Sequence, residues 1–144
     1  MLSAEGRCLC GDIKVTAENI NPKFTVCHCD SCRQWGGSAL FALQCGTQVK
    51  FENVNPTNSS NNIKIHPSSE WASRGFCGNC GSHLFYMLNE TGEYNIPVGI
   101  FQGLDGLEMD MQYFSDQRPN YYCFSNTTKE MTKADIMAYF AQKS

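Results

Sequence analysis

Long apolar runs are missing from this sequence of 144 residues. No stretch of about 18 apolar residues occurs, and residues 1–16 lack the apolar segment of a secretory signal. We therefore expect neither membrane insertion nor secretion, and we expect a cytoplasmic protein.

Basic residues are also scarce, since 11 lysines and arginines stand against 14 aspartates and glutamates. That balance disfavours a nucleic-acid binder that works through a basic patch.

Internal repeats are missing as well, which excludes solenoids and propellers. Charged residues make up only 17% of the chain, whereas hydrophobic residues reach 42%, so intrinsic disorder is disfavoured and a folded core is expected. The length fits one compact domain. We expect residues 1–144 to form a single domain.

Cysteine is the residue that the chain has in excess, with nine in 144 residues. Seven of them form three clusters. The clusters are a C-x-C pair at Cys8 and Cys10, a C-x-C-x-x-C run at Cys27, Cys29 and Cys32, and a C-x-x-C pair at Cys77 and Cys80. In a reducing compartment such clusters are metal ligands or catalytic groups more often than disulfides, and an odd total cannot pair fully. A disulfide framework is the less favoured alternative.

Each cysteine pair supplies half of a tetrahedral metal site. On an extended strand, residues i and i+2 point to the same side, so a C-x-C pair on a strand presents two sulfurs to one ion. A C-x-x-C turn wraps its backbone around a metal, and Gly78 and Gly81 are expected to supply the unusual backbone angles. Zinc takes four ligands, so seven thiolates divide most simply into four plus three.

The outer pairs predict a structural zinc site, and the middle cluster predicts a catalytic one. The four outer sulfurs belong to Cys8, Cys10, Cys77 and Cys80, and they close the coordination shell of one ion. The middle three belong to Cys27, Cys29 and Cys32, and they leave the fourth position for water or a substrate. We expect two zinc ions per chain, which would change the formal charge from −3 to about −6.

Other roles for the cysteines are less favoured. An iron–sulfur cluster also uses thiolates, but no single run matches its usual four-cysteine signatures. Redox chemistry by Cys77 and Cys80 needs that pair at the start of a helix in a βαβ unit, whereas the surrounding residues predict a turn between strands. Cys45 and Cys123 have no near cysteine neighbour, so they are interpreted as buried or incidental thiols.

The three histidines are not interpreted as ligands. His28 lies between two predicted ligands on a strand, so it should point away from them, in an outward or hydrogen-bonded role. His66 and His83 are chemically able to carry a proton, but their local sequence does not favour that over packing. Trp35 lies close enough in sequence to Cys32 to wall a pocket.

Short apolar segments separated by Gly, Asn, Ser and Pro predict a mostly β fold. The predicted strands cover residues 13–17, 24–29, 39–45, 48–52, 63–66, 74–76, 83–87, 94–101 and 111–114, with Pro97 at a sheet edge or bulge. Residues 53–62 are polar and turn-forming, and they predict an exposed loop.

The clearest helix signal covers residues 132–142. Thr132 is the expected cap, and Asp135 completes a capping pattern three residues further on. An apolar face is formed by Ile136, Met137, Phe140 and Ala141, and it should pack on the β core.

The cysteine motifs, taken with their neighbours, resemble those of the glutathione-dependent formaldehyde-activating enzyme (GFA) family, also called the CENP-V/GFA domain. The matching segments are residues 6–11 (GRCLCG), 27–33 (CHCDSCR) and 74–85 (RGFCGNCGSHLF), in the family's order. The resemblance implies a mostly β, Mss4-like fold stapled by zinc. It also implies one zinc on the four outer cysteines and a second on the middle three, which agrees with the partition from spacing.

The family resemblance implies a carbon–sulfur lyase that handles an adduct of a thiol and an aldehyde, such as S-hydroxymethylglutathione from glutathione and formaldehyde. Cys27, Cys29 and Cys32 are then catalytic as ligands of an open zinc site. A substrate thiol in the fourth position would be held as a thiolate beside a carbonyl carbon. Arg33 is interpreted either as a contact for a substrate carboxylate or as a surface arginine.

A second hypothesis from a different class is a non-catalytic, zinc-stapled domain that binds a protein partner, and a third is a sensor of zinc or oxidants at the three-cysteine site. The acidic balance argues against nucleic acid as the partner. The sequence leaves the oligomeric state open.

Overall fold

The computed structural model describes residues 1–55 and 61–143. Within these residues the chain forms eleven β-strands, two α-helices and two short 3-10 helices, so the predicted mostly β fold is confirmed. The chain divides into two compact units, and each unit is made of two separate stretches. Unit 1 comprises Met1–Pro22 and Leu43–Gly106, and unit 2 comprises Lys23–Ala42 and Leu107–Ser144. The single domain expected over residues 1–144 stays a prediction.

Unit 1 contains a three-stranded antiparallel sheet. Its strands, in spatial order, are β1 (Leu2–Arg7), β2 (Ile13–Ile20) and β5 (Val49–Asn53). The central strand buries every second residue at its start, with Ile13, Val15 and Ala17 fully enclosed. This alternation places one face of β2 in the core of the unit. The first strand, β1, was not predicted, because its small and charged residues alternate with only one large apolar side chain.

The second sheet of unit 1 is also antiparallel. In spatial order its strands are β9 (Tyr94–Pro97), β8 (His83–Leu88), β7 (Ala72–Cys77) and β6 (Ile63–His66). The strand predicted over residues 94–101 is therefore too long. Pro97 ends β9, and the following Val98–Ile100 form a 3-10 helix, because proline has no N–H with which to continue the ladder.

Unit 2 contains strands of both directions. Its spatial order is β11 (Lys129–Met131), β10 (Glu108–Tyr113), β3 (Lys23–Cys27) and the start of β4 (Leu40–Gly46), which runs on into unit 1. Strand β10 is parallel to both β11 and β3, whereas β3 and β4 are antiparallel. The core of the unit is formed by Val26, Ala39 and Met109, with Phe24, Tyr122 and Phe124 packed against it.

A short helix interrupts the strand predicted over residues 24–29. Strand β3 ends at Cys27, and helix α1 covers Asp30–Gly36 with Cys29 as its N-cap. Gly37, at a φ of 87°, ends the helix and donates its N–H to the Arg33 carbonyl at 2.8 Å. Seven residues are too few to show helical periodicity in the sequence, which explains why α1 was missed.

The predicted C-terminal helix is confirmed as α2 (Lys133–Lys143). Its capping pattern is reciprocal, since the Asp135 N–H donates to Thr132 Oγ1 at 3.2 Å and the Thr132 N–H donates to Asp135 Oδ2 at 2.9 Å. The expected packing of its apolar face is wrong. Ile136 is buried, but Met137, Phe140 and Ala141 are exposed. The helix is tethered at its first turn, where the Lys133 N–H donates to Asp116 Oδ1 at 3.0 Å, and its later turns are exposed.

Buried Asp12 holds both ends of the predicted loop over residues 53–62, of which residues 56–60 lie outside the described part. Asp12 accepts hydrogen bonds from the side-chain amides of Asn55 at 2.8 Å and Asn62 at 3.1 Å. Asn62 is itself buried, so the prediction of a wholly exposed loop is wrong at that end. In the described residues, no helix has the length and apolarity needed to cross a bilayer.

Gly6 offers a sharp test of packing in unit 1. A Cβ atom at this position would lie 2.3 Å from the Ile100 carbonyl oxygen, which belongs to the backbone and has little freedom to move. We predict that Gly6→Ala lowers the free energy of unfolding by about 1–3 kcal/mol or more in urea titrations. Gly99→Ala is the matched control, since a Cβ there meets no atom within 4 Å. Equal stability of the two variants would contradict the packing described for β1.

Candidate metal centres

Four sulfurs converge within unit 1. The Sγ atoms of Cys8, Cys10, Cys77 and Cys80 all lie within 4.8 Å of one another. Cys10 Sγ lies 3.6 Å from Cys8 Sγ and 3.8 Å from Cys77 Sγ. Tetrahedral thiolate ligands at about 2.3 Å from zinc are about 3.8 Å apart. This cluster, which we call the four-cysteine cluster, therefore has the donor set and the dimensions of a closed tetrahedral site.

The first half of the four-cysteine cluster is a tight turn. Cys8 follows the end of β1, its N–H donates to the Ile13 carbonyl at 3.1 Å, and its carbonyl accepts from the Gly11 N–H at 3.0 Å. Gly11 has a φ of 83°, a backbone conformation that favours glycine. The expectation that this C-x-C pair lies on an extended strand is thus wrong, because the chain reverses between β1 and β2. The turn itself brings the two sulfurs to the same side.

The second half is the C-x-x-C turn predicted from the sequence. Cys77 ends β7, and its carbonyl accepts from the Gly81 N–H at 2.8 Å, with Gly81 at a φ of 81°. Gly78 was expected to have an unusual backbone angle as well, but its φ is not positive. The space beside it is narrow instead, since a Cβ there would lie 2.9 Å from Cε of the flexible Lys64 side chain and 3.3 Å from the Asn62 carbonyl oxygen.

Ser82 links the two halves of the four-cysteine cluster. Its hydroxyl oxygen accepts the Leu9 N–H at 3.0 Å and lies 3.2 Å from Cys80 Sγ. The hydroxyl can therefore donate to the Cys80 sulfur while it fixes the peptide between Cys8 and Cys10. Sequence reasoning missed Ser82, although its position two residues after Cys80 was the available signal.

The thiols of the four-cysteine cluster differ in how readily they lose their protons. Burial raises the pKa of the Cys8 thiol to about 12 and also raises that of Cys77. At Cys80, burial works in the same direction, but hydrogen bonds from the Ser82 hydroxyl and N–H, together with those from Cys10, outweigh it and lower the pKa to about 6. The cluster thus accommodates one thiolate easily and further thiolates only when a cation offsets their charge.

Three more sulfurs converge within unit 2. Cys27 is the last residue of β3, Cys29 is the N-cap of α1, and Cys32 lies in the first turn of that helix. Their Sγ atoms lie within 4.8 Å of one another. We call this group the three-cysteine cluster. The prediction that Cys27 and Cys29 share one strand is wrong, but the strand-to-helix junction gathers their sulfurs with that of Cys32.

The helix start organises the three-cysteine cluster. Cys29 Sγ accepts the Cys32 N–H at 3.3 Å, and the Cys29 carbonyl accepts the Arg33 N–H at 3.1 Å. The neighbouring thiols of Cys29 and Cys32, followed by burial, raise the pKa of Cys27 strongly. Three thiolates at this spacing repel one another unless a cation lies between them. The donor set therefore fits a thiophilic ion such as zinc with one coordination position left for another ligand.

His28 is fully buried between two members of the three-cysteine cluster. Its Nδ1 lies 2.5 Å from the Tyr122 hydroxyl, and its Nε2 lies 2.7 Å from Gln112 Oε1. The hydrogen-bonded role predicted for His28 is therefore confirmed. Burial lowers the pKa of the imidazole, which favours the neutral ring. Neither Gln112 nor Tyr122 was predicted, because both are about 90 residues away along the chain.

The remaining candidate residues lie outside both clusters. Cys45 is fully buried and Cys123 is exposed, as expected for thiols without a cysteine neighbour. His66 is exposed on β6, and burial followed by the charge of Arg74 lowers the pKa of His83. Neither histidine joins a group of metal-type ligands in the described residues.

An open cleft of about 340 Å³ lies along α1, the helix that carries Cys32. Its lining residues are Asp30, Arg33, Gln34, Gly37 and Tyr121. Trp35, which was predicted to wall a pocket, is half-buried and does not line this cleft. Arg33 is oriented from two sides, since Nη2 donates to Asp30 Oδ1 at 2.5 Å and Nε donates to the His28 carbonyl at 2.9 Å.

Two converging sets of cysteines on a mostly β fold define a protein with two candidate thiolate metal centres. The chain belongs to the glutathione-dependent formaldehyde-activating enzyme family, whose sequence profile matches residues 3–117. An uncharacterized lyase of Schizosaccharomyces pombe is 36% identical over 135 residues, which cover 92% of this chain and 93% of the relative. The family membership predicted from the cysteine motifs is confirmed.

A solved structure supports the same fold. The crystal structure of a Rhodobacter sphaeroides protein superposes with a TM-score of 0.56 at 22% sequence identity. The superposition covers 70% of this chain and 90% of that protein. At this level of identity the likeness shows the fold alone.

Metal binding should release protons. Because burial raises the pKa of Cys8 to about 12 and the neighbouring thiols of Cys29 and Cys32 raise that of Cys27, both thiols carry protons at pH 7 in the metal-free protein. Zinc binds thiolates, so it displaces those protons, and its apparent affinity rises with pH. We predict measurable acidification when zinc is added to reduced, metal-free protein in dilute buffer at pH 7. Zinc binding without proton release would contradict protonated thiols at Cys8 and Cys27.

Proposed function

We propose that this chain is a zinc-dependent carbon–sulfur lyase that acts on the adduct of a thiol and an aldehyde. S-hydroxymethylglutathione, formed from glutathione and formaldehyde, is the proposed example. The observation that carries the proposal is the three-cysteine cluster, which has three thiolate ligands where a tetrahedral ion takes four. The family name and the lyase-named relative support the same chemistry.

The two clusters have different proposed roles. The four-cysteine cluster of Cys8, Cys10, Cys77 and Cys80 would hold a structural zinc, since four sulfurs fill the coordination shell and leave no position for a substrate. The three-cysteine cluster of Cys27, Cys29 and Cys32 would hold the reactive zinc. These three residues are proposed as catalytic in the sense that their sulfurs form the site at which the substrate sulfur is held.

A zinc ion bound by the three-cysteine cluster would supply a positive charge that keeps a substrate thiol deprotonated at neutral pH. The chain itself contributes three negative charges, so this site is better suited to holding a thiolate than to polarising a carbonyl. The helix start at Cys29 and the buried His28 fix the sulfurs before the substrate arrives. Such preorganisation lowers the entropic cost of bringing the thiol and the aldehyde together.

The proposed reaction balances with a thiol, an aldehyde and water. In synthesis, the thiol releases its proton to water, the thiolate sulfur attacks the carbonyl carbon, a carbon–sulfur bond forms, and the π electrons move to oxygen, which takes a proton back from water. In cleavage, the hydroxyl loses that proton, the carbonyl re-forms, and the electron pair of the carbon–sulfur bond returns to sulfur. Because the addition also proceeds without a catalyst, any acceleration has to be measured above that background.

The cleft along α1 is the proposed binding place for the rest of the thiol substrate. It offers a carboxylate, a guanidinium and an amide, from Asp30, Arg33 and Gln34. Glutathione carries an ammonium, two carboxylates and two amides, so these groups are complementary to it in kind. Arg33 is already paired with Asp30, and its contact with a substrate carboxylate stays a prediction.

The second candidate function is a non-catalytic, zinc-stapled domain that binds a protein partner. One observation favours it, namely the exposure of Met137, Tyr139 and Phe140 on α2. Exposed apolar and aromatic side chains on one element are typical of interaction surfaces.

Replacing one cysteine of the three-cysteine cluster tests the catalytic proposal. We predict that Cys32→Ser lowers the catalysed exchange between glutathione, formaldehyde and their adduct by at least about 100-fold, because the site loses one of three ligands. Exchange NMR measures this rate, with the uncatalysed rate subtracted. Cys123→Ser is the matched control, since Cys123 is exposed and lies outside both clusters. Full exchange activity in Cys32→Ser would contradict the proposal.

Ligand-dependent stability separates the two candidate functions. We predict that saturating glutathione raises the thermal midpoint of the zinc-loaded protein, because a ligand that binds the folded state stabilises it. At a concentration of about 100 times the dissociation constant, the gain is about 2.7 kcal/mol. S-methylglutathione is the control ligand, since its sulfur has no proton to lose. An unchanged midpoint with glutathione would favour the protein-binding domain.

A further inference from the structure

Residue His28 is held at every hydrogen-bonding group that it has. Its backbone N–H donates to the Tyr113 carbonyl at 3.1 Å, and its backbone carbonyl accepts from Arg33 Nε at 2.9 Å. Its two ring nitrogens contact Tyr122 and Gln112. Since its neighbours in the chain are Cys27 and Cys29, these four bonds fix the two peptide units that separate two sulfurs of the three-cysteine cluster.

The direction of the ring hydrogen bonds follows from Arg118. A guanidinium only donates, and Arg118 Nη1 lies 2.9 Å from Gln112 Oε1, so the atom that faces both Arg118 and His28 is the amide oxygen. The other end of the amide, Gln112 Nε2, donates to Thr128 Oγ1 at 2.9 Å, which is consistent with this orientation. His28 Nε2 must therefore carry a hydrogen and donate it to Gln112.

The same reasoning fixes the bond on the other side of the ring. In a neutral imidazole with its hydrogen on Nε2, Nδ1 is an acceptor. The Tyr122 hydroxyl, 2.5 Å away, is then the donor. The Tyr122 ring also packs against His28, with centroids 5.4 Å apart, so the phenol is held in place by packing as well as by its hydrogen bond.

We propose that Tyr122 and Gln112 are positioning residues for the three-cysteine cluster, which act by locking His28 as the Nε2–H tautomer between Cys27 and Cys29. The inference rests on the proposed function in that it takes the cluster to bind zinc. Two residues from distant segments thereby preorganise ligands that lie within six consecutive residues, as hydrogen-bonded residues behind metal ligands generally do.

The experiment compares wild type with Tyr122→Phe, which keeps the ring and removes the hydroxyl donor. The first readout is the ¹⁵N spectrum of the histidine rings in metal-free, reduced protein, which reports the tautomer directly. The second is the rate at which zinc passes from the loaded protein to a chromogenic chelator. The ion in the three-cysteine cluster is identified by its absence from Cys32→Ser.

We expect wild-type His28 to carry its hydrogen on Nε2, and we expect the Nδ1 signal to move in Tyr122→Phe. We also expect zinc to leave the three-cysteine cluster about 10–100 times faster in that variant. Release from the four-cysteine cluster should be unchanged, so each molecule contains its own control. Tyr94→Phe is the matched variant, because Tyr94 is a half-buried, ring-packed tyrosine of unit 1.

Two results would overturn the inference: a hydrogen on Nδ1 of wild-type His28, or release rates of Tyr122→Phe within about twofold of wild type. If Tyr122→Phe does not fold, Gln112→Met removes the acceptor on the opposite side of the ring and is judged by the same criteria. A wild-type protein that binds only one zinc would contradict the proposed function instead. The ring spectrum of the metal-free protein then still decides whether the lock on His28 exists.

Discussion

The repulsion between closely spaced thiolates is the constraint on which both candidate metal centres depend. Seven cysteine sulfurs are confined to two groups, each less than 5 Å across. In the absence of a cation, burial raises the pKa of Cys8 and Cys77, and the neighbouring thiols of Cys29 and Cys32 raise that of Cys27, so these three thiols resist deprotonation. Placing thiolates this close together costs free energy, and a bound metal ion offsets that cost because it compensates their negative charge.

Different chain segments bring the sulfurs together in the two clusters. In unit 1, two turns from distant parts of the chain meet, and Ser82 bonds to both of them. In unit 2, the three cysteines are close in sequence, and the strand-to-helix junction between β3 and α1 brings them together. There the long-range contacts come from Tyr122 and Gln112, which form hydrogen bonds with His28 and not with a sulfur. One cluster thus joins distant segments, and the other is a local group that distant segments hold in place.

The sequence predicted what depends on local spacing and missed what depends on tertiary contacts. Cysteine spacing identified both groups, and alternation located most strands. The capping pair Thr132 and Asp135 gave the start of α2. The short helix α1 was missed because seven residues carry too little periodicity, and the placement of Cys27 and Cys29 on one strand was wrong as a result. The placement of Cys8 and Cys10 on a strand was wrong because the chain turns between β1 and β2. The exposure of Phe140 and the burial of Asn62 could not be foreseen either, since each depends on which surface lies nearby.

The metal content of the protein, purified without added metal, tests the central claim most directly. Elemental mass spectrometry should find close to two zinc ions per chain, because four sulfurs in unit 1 and three in unit 2 form separate sites. Cys77→Ser and Cys32→Ser should each retain the ion of the other cluster. One zinc per chain, unchanged after zinc is added back to the reduced protein, would contradict the claim that the three-cysteine cluster is a metal site.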